Sequence, residues 1–175
     1  MSISRRQFLR TTAAVGGSVL AVHRSAHAAG SDILRVGLVG CGSRGAGAAS
    51  NAINADPGVR LVALADAFAD RMSGTLKALK DRHPDQVDVD PSRCFVGFDS
   101  YKELIACGVD VVLLAAPPHF RPLHLAAAIE ANKHVFAEKP VGVDATGVRG
   151  VMATCELARQ KNLCVVSGLC WRYDT

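Results

Sequence analysis

Three stretches of this 175-residue chain have residue types and spacings that can do chemistry. The first is Gly40-Cys41-Gly42-Ser43-Arg44-Gly45, a G-x-G-x-x-G pattern between the apolar run Ile33–Val39 and an alanine-rich helical pattern. A backbone that turns sharply, approaches a ligand closely and lets a helix pack tightly on a strand needs glycine at such places. The N–H groups opening the helix then form an anion site suited to a pyrophosphate. Asp66 lies 21 residues beyond Gly45, at the end of a second apolar run. A carboxylate about 20 residues on can accept hydrogen bonds from the ribose hydroxyls of a dinucleotide. It would repel a 2′-phosphate, which favours NAD, while Arg71 leaves NADP possible. Asp66 can also cap the next helix, and the two roles are compatible.

The second stretch is Glu138-Lys139-Pro140. Proline has no N–H for the ladder and ends the strand, and it holds the residue before it extended. Lys139 is thereby fixed at a strand end, where its amine can hydrogen-bond a substrate hydroxyl or exchange a proton with it as hydride leaves the same carbon. The alternative is a surface lysine. The third stretch, Ala116-Pro117-Pro118-His119, presents carbonyls and a flat apolar wall. His119 there is either a polar contact to a cofactor or an exposed loop residue. His124 is expected on a helix face and His134 in a structural role on a strand.

These residues need strands that end beside one another. Apolar runs predict strands at 33–39, 59–65, 93–96, 109–116, 133–138 and 163–167. Helices are expected from about Arg44 to Ala55, over a segment carrying Phe68, Met72, Leu76 and Leu79 on one face, from Asp99 to Cys107, and from Pro122 to Ala131. A last helix starts near Asp144, with Val148, Val151, Met152, Cys155 and Ala158 on one face. The first helix stops at Asp56-Pro57-Gly58, Asp99 or Ser100 caps the third, and the polar stretch 81–92 reads as a loop. Six strands alternating with helices imply an α/β fold, a doubly wound parallel sheet of the Rossmann NAD(P)-binding type. Ligands of such sheets bind at the carboxyl ends of the strands, where the strand order reverses.

Ser4-Arg5-Arg6-Gln7-Phe8-Leu9, the apolar run Thr11–Val22 and Ala26-His27-Ala28 read as a twin-arginine export signal over residues 1–28 with an A-x-A cleavage site. The run is too short to span a bilayer. That route carries folded proteins, so the expected location is periplasmic, with a cofactor loaded before export. The formal charge of +4 comes from Arg5, Arg6, Arg10 and Arg24; beyond Ala28 sixteen basic residues balance sixteen acidic ones. A balanced chain argues against nucleic acid and against a membrane surface. The six cysteines form no C-x-x-C pair and have no histidine at zinc-ligand spacing, so neither a metal nor an essential disulfide is expected.

Taken together, the glycine loop, Asp66, Ala116-Pro117-Pro118, Asn132-Lys133-His134-Val135-Phe136-Ala137-Glu138-Lys139-Pro140 and the tail Gly168-Leu169-Cys170-Trp171-Arg172-Tyr173-Asp174 resemble the Gfo/Idh/MocA oxidoreductases. The most specific parts are K-H-V-x-x-E-K-P and, one helix later, G-x-x-x-R-Y. The resemblance implies a Rossmann domain over 29–168 that binds NAD, with NADP possible, and hydride transfer to or from a sugar, inositol or related polyol. It makes Lys139 the catalytic residue. It makes Gly40, Gly42, Ser43, Arg44, Gly45, Asp66, Pro117, Pro118, His119, Glu138, Lys139, Pro140 and Arg172 the cofactor-site residues. Many family members carry a histidine 11 residues before the Gly or Asn preceding K-H-V; here that position is Arg121, between His119 and His124. Members continue into a second α/β domain that holds substrate and usually makes a homo-oligomer interface; residues 169–175 read as its beginning, and the rest is expected to be absent. The alternatives to a dehydrogenase are an NAD-dependent glycosidase of the same fold and, for the 175 residues alone, a nucleotide-binding module without turnover.

Overall fold

The computed structural model describes residues 33–169. The export-signal reading, most of the reading of the tail and the candidate Arg172 lie outside them. Six strands form one parallel sheet: β1 Leu34–Val39, β2 Val59–Asp66, β3 Cys94–Val96, β4 Val111–Leu114, β5 His134–Ala137 and β6 Val165–Ser167. Their order is β3-β2-β1-β4-β5-β6. The helices are α1 Ser43–Ala55, α2 Ala69–Arg82, α3 Ser100–Ala106, α4 Arg121–Glu130 and α5 Ala145–Gln160. Strand order reverses between β1 and β4, so the turn after β1 and the turn after β4 diverge and leave a crevice at their carboxyl ends.

Two apolar cores flank the sheet. One joins Val36, Leu38, Leu61 and Leu64 to Ile53 of α1 and Met72 and Leu79 of α2. The other joins Val62, Val112 and Val135 to Leu104, Leu125, Ile129 and Ala158 from α3, α4 and α5. A strand buried on both faces cannot alternate, which is why these strands read as continuous apolar runs. Five of the six strands are shorter than expected, while β2 runs one residue further, to Asp66. At the entry to β4, Asp110 turns its carboxylate onto Arg35, accepting from its backbone N–H at 2.9 Å and from its guanidinium at 3.0 and 2.8 Å.

Four local expectations are corrected. The stretch 81–92 is pinned at one point: Leu61 and Val87 form a parallel bridge, and Gln86 donates its side-chain amide to the carbonyls of Ile53, Asp56 and Val59. Val87 and Val89 are buried, and their two-residue spacing was the local signal for it. On α5 the buried residues are Val151, Thr154 and Ala158, while Val148 and Met152 are exposed. Thr154 can face the core because its hydroxyl donates to the Gly150 carbonyl at 2.9 Å. On α2 Met72, Thr75 and Leu79 are buried and Leu76 packs half-buried against the same core, while Phe68 stands ahead of the helix, 53% exposed. Asp99 precedes α3 without a side-chain capping bond and pairs with Lys102 at 2.8 Å instead. Among the described residues no helix is long and apolar enough to cross a membrane.

Candidate functional site

The turn from β1 into α1 is built by three glycines with three different reasons to be glycine. Gly40 has φ +96°, and a Cβ there would lie 2.4 Å from the Ala116 nitrogen. At Gly45 a Cβ would lie 1.9 Å from the Gly40 carbonyl oxygen, so helix and strand could not close on each other. Gly42 has φ −76° and ψ −179°, extended backbone open to any residue, and a Cβ there meets nothing within 4 Å. The fold does not require glycine at this position; a ligand brought against the backbone would. Gly42 precedes the first turn of α1, whose amides no side chain caps and which carries no acid. Residues 43–45 thus open the helix with N–H groups that have no intrahelical acceptor. The residues present fit a dinucleotide pyrophosphate.

Asp66 closes β2 and ties this turn to the next helix. One carboxylate oxygen accepts from the Cys41 N–H at 2.6 Å and the other from the Phe68 N–H at 2.9 Å. Each oxygen keeps lone-pair capacity for a further donor. Cys41 itself is buried, and its thiol is pushed up to about 12 by burial and by Asp66, so it is not a nucleophile. Its carbonyl accepts from the Thr75 hydroxyl at 2.7 Å.

A cleft of about 120 Å³ opens beside Gly40 and Asp66, and Ala116, Pro117, Phe98 and Phe120 wall its other side. Phe68, Arg71, Gly97, Tyr101 and His124 also line it. The Arg71 guanidinium lies 5.3 Å from the centre of the Phe68 ring. Among the candidates read from sequence, Gly40, Asp66 and Pro117 line this cleft, whereas Pro118 and His119 do not. His119 is exposed, its ring edge-on to Phe120 at 5.4 Å. Sequence reasoning missed the aromatic wall. Phe98 directly follows β3 and Gly97, at a strand end like the other candidates, and that position was its signal.

The second cluster lies at the ends of β4 and β5. Lys139 is exposed and joined to Pro140 by a cis peptide bond. Glu138 before it is buried, and its carboxylate pairs with the Arg44 guanidinium at 2.5 Å. Gly168, just after β6, backs onto Glu138: a Cβ there would lie 2.9 Å from Oε2. The glycine loop, the E-K-P turn and the exit from β6 therefore meet at one carboxylate.

His124 sits on the inward face of α4, 5% exposed. Its ring stacks on Tyr101 at 4.2 Å and on Phe120 at 5.8 Å, and neither ring nitrogen has a hydrogen-bond partner. Burial, then the nearby Arg121 cation, lowers its pKa to about 4. It is neutral when folded and protonates near pH 6.5 when unfolded. The stability it gives is complete above pH 6.5 and lost as pH falls towards 4, about 3 kcal/mol in all. His124→Phe is expected to remove that share of the acid sensitivity; urea midpoints between pH 7 and 4 that fall equally in both proteins would contradict it. His134 has a structural place, accepting from the Cys164 N–H at Nδ1 at 3.0 Å.

Strand order β3-β2-β1-β4-β5-β6 with the glycine turn at its switch point makes this a dinucleotide-binding Rossmann domain. Residues 34–169 match the oxidoreductase family with an NAD-binding Rossmann fold, Gfo/Idh/MocA. The chain belongs to that family. It is 31% identical over 142 residues to a glycosyl hydrolase family 109 protein of Shewanella amazonensis, covering 81% of this chain and 30% of that one. It is 31% identical over 144 residues to inositol 2-dehydrogenase 1 of Saccharopolyspora erythraea, covering 81% and 38%. The crystal structure of myo-inositol 2-dehydrogenase from Lactobacillus plantarum superposes with a TM-score of 0.63 at 26% identity, again over 81% and 38%. The chain spans about a third of the length of the curated relatives it matches.

Proposed function

We propose that the chain is the NAD-binding part of an oxidoreductase that transfers hydride at a hydroxyl-bearing carbon of a sugar, inositol or related polyol. The observation that carries the cofactor half is Gly42, a glycine the fold leaves free. Gly42 and the amides of Ser43, Arg44 and Gly45 would hold the pyrophosphate. Asp66, lining the cleft, would hold the ribose of the adenosine end, and its negative charge would favour NAD over NADP. NAD, when bound, would supply the hydride acceptor. Lys139, exposed at the end of β5, hydrogen-bonds the substrate hydroxyl and exchanges its proton. Glu138 and Pro140 hold the turn that carries it. The polyol class is supported by the likeness to inositol 2-dehydrogenase 1. In an enzyme carrying this domain, substrate capture and homo-oligomer contacts are supplied outside residues 34–169. Residues 1–28 direct export of the folded protein to the periplasm by the twin-arginine route.

Titration with NADH is expected to change its fluorescence at lower concentration than titration with NADPH. No binding of either at millimolar concentration would overturn the proposal. The likeness to a family 109 glycosyl hydrolase favours a second reading, an NAD-dependent glycosidase. In an enzyme carrying this domain, NADH accumulating with free polyol marks the dehydrogenase, and aglycone release without net cofactor change marks the glycosidase.

A further inference from the structure

We infer that Arg121 is the positioning residue that fixes the turn carrying Lys139 at the end of β5. This rests on the cofactor reading above. Arg121 lies in the first turn of α4 and is 3% exposed, although its side chain is an arginine on a segment that leaves a loop. Its guanidinium donates to three backbone carbonyls from two different turns. One nitrogen, Nη1, donates to Leu114, the last residue of β4. The other, Nη2, donates to Ala116 in the cleft wall at 2.9 Å. Its Nε donates to Pro140 at 3.4 Å, a long bond, in the turn that holds Lys139. The Leu114 carbonyl also accepts from the Glu138 N–H at 3.0 Å, so it is where the β4–β5 ladder ends and both turns begin.

The choice of residue follows from this geometry. After β4 and β5 the chain diverges, and no ladder bond can span the two turns. A planar fork with five N–H donors can meet carbonyls on both sides at once. A lysine, as a point charge on a flexible stem, cannot hold the same three in fixed directions. Burying a guanidinium is costly unless a counter-charge is near. The Glu138 carboxylate supplies it, opposing the fall in the Arg121 pKa that burial causes. Arg121 thus fixes the Pro140 carbonyl relative to Ala116, and with it the backbone on which Lys139 stands. Lys139 itself reaches no part of Arg121 in this scheme; the arginine acts through the turn.

The test reads where Lys139 stands, without turnover. The full chain is labelled with acetic anhydride, and the rate at Lys139 is followed by peptide mass mapping, with exposed Lys77 as the internal control. NADH at ten times its dissociation constant leaves about one-eleventh of the protein free, so a lysine shielded by the nicotinamide reacts about tenfold more slowly. ADP-ribose, which lacks the nicotinamide, is expected to leave Lys139 unshielded. In R121K, NADH is expected to bind with unchanged affinity and the fold to persist with a melting temperature lower by several degrees, while the shielding of Lys139 is lost. Full shielding in R121K would overturn the inference. R121H, whose ring keeps up to two donors, is read in the same way if R121K does not fold; failure of both to fold would assign Arg121 a purely structural role and overturn it. An unsubstituted chain that binds NADH without shielding Lys139 also overturns it, but leaves NAD binding standing. A chain that binds neither NADH nor NADPH removes the cofactor reading itself.

Discussion

Gly42→Ala is expected to leave the fold intact and remove dinucleotide binding, while Gly45→Ala is expected to damage the fold itself. The two glycines are three residues apart in one motif, yet the structure gives them opposite reasons. At Gly45 an added Cβ would lie 1.9 Å from the Gly40 carbonyl oxygen. That contact is with backbone, and no side chain can swing away to relieve it. The strand-to-helix turn must shift, at a cost of about 3 kcal/mol. At Gly42 the same Cβ enters open space, on backbone that any residue adopts. It fills the approach to the amides of the first turn of α1, so a pyrophosphate can no longer reach them. Thermal melts and NADH titrations of both variants separate the two. A Gly42→Ala protein that binds NADH like the parent would remove the observation on which the cofactor assignment rests.

Lys139→Ala is expected to lower turnover about 100-fold in an enzyme carrying this domain, with NADH affinity unchanged. Lys139 is exposed at its strand end, and the β5 core residues Val135 and Ala137 lie on its N-terminal side, so truncation removes an amine without opening a cavity. Lys139→Arg is the sharper control. A guanidinium keeps the positive charge but holds its proton at all working pH, so it can orient a hydroxyl and cannot take its proton. Recovery of turnover in Lys139→Arg would assign Lys139 orientation alone. Equal loss of turnover and of NADH binding in Lys139→Ala would make the residue part of the cofactor cradle instead. Steady-state rates and fluorescence titrations on the same preparations decide between these.

What the sequence disclosed about the fold follows from burial. Strands covered on both faces must be apolar throughout, and α1 and α5 are marked off by Gly42, Asp56 and Asp144. Those are local properties, so β1 to β6 and their helices could be placed in order. The glycine loop and Asp66 were legible for the same reason, because one turn and one strand fix their spacing. Arg121 was not. Its role exists only because the carbonyls of Leu114 and Ala116 end up beside that of Pro140, at the far end of another strand. His124 was equally hidden: a histidine on a helix says nothing about the Tyr101 and Phe120 rings that enclose it. On α5 the apolar spacing of Val148 and Met152 misled, since a threonine that bonds its own helix can turn inward in their place.

The carboxylate of Glu138 has a consequence for how this domain can change over time. Arg44 neutralises it from the glycine loop, and Gly168 leaves it room from the exit of β6. Losing the arginine strands a buried charge, and adding a methyl group at Gly168 crowds the same carboxylate. The three positions come from stretches far apart in the gene, but they answer to one carboxylate, so a replacement at one is expected to cost less when a matching replacement is made at another.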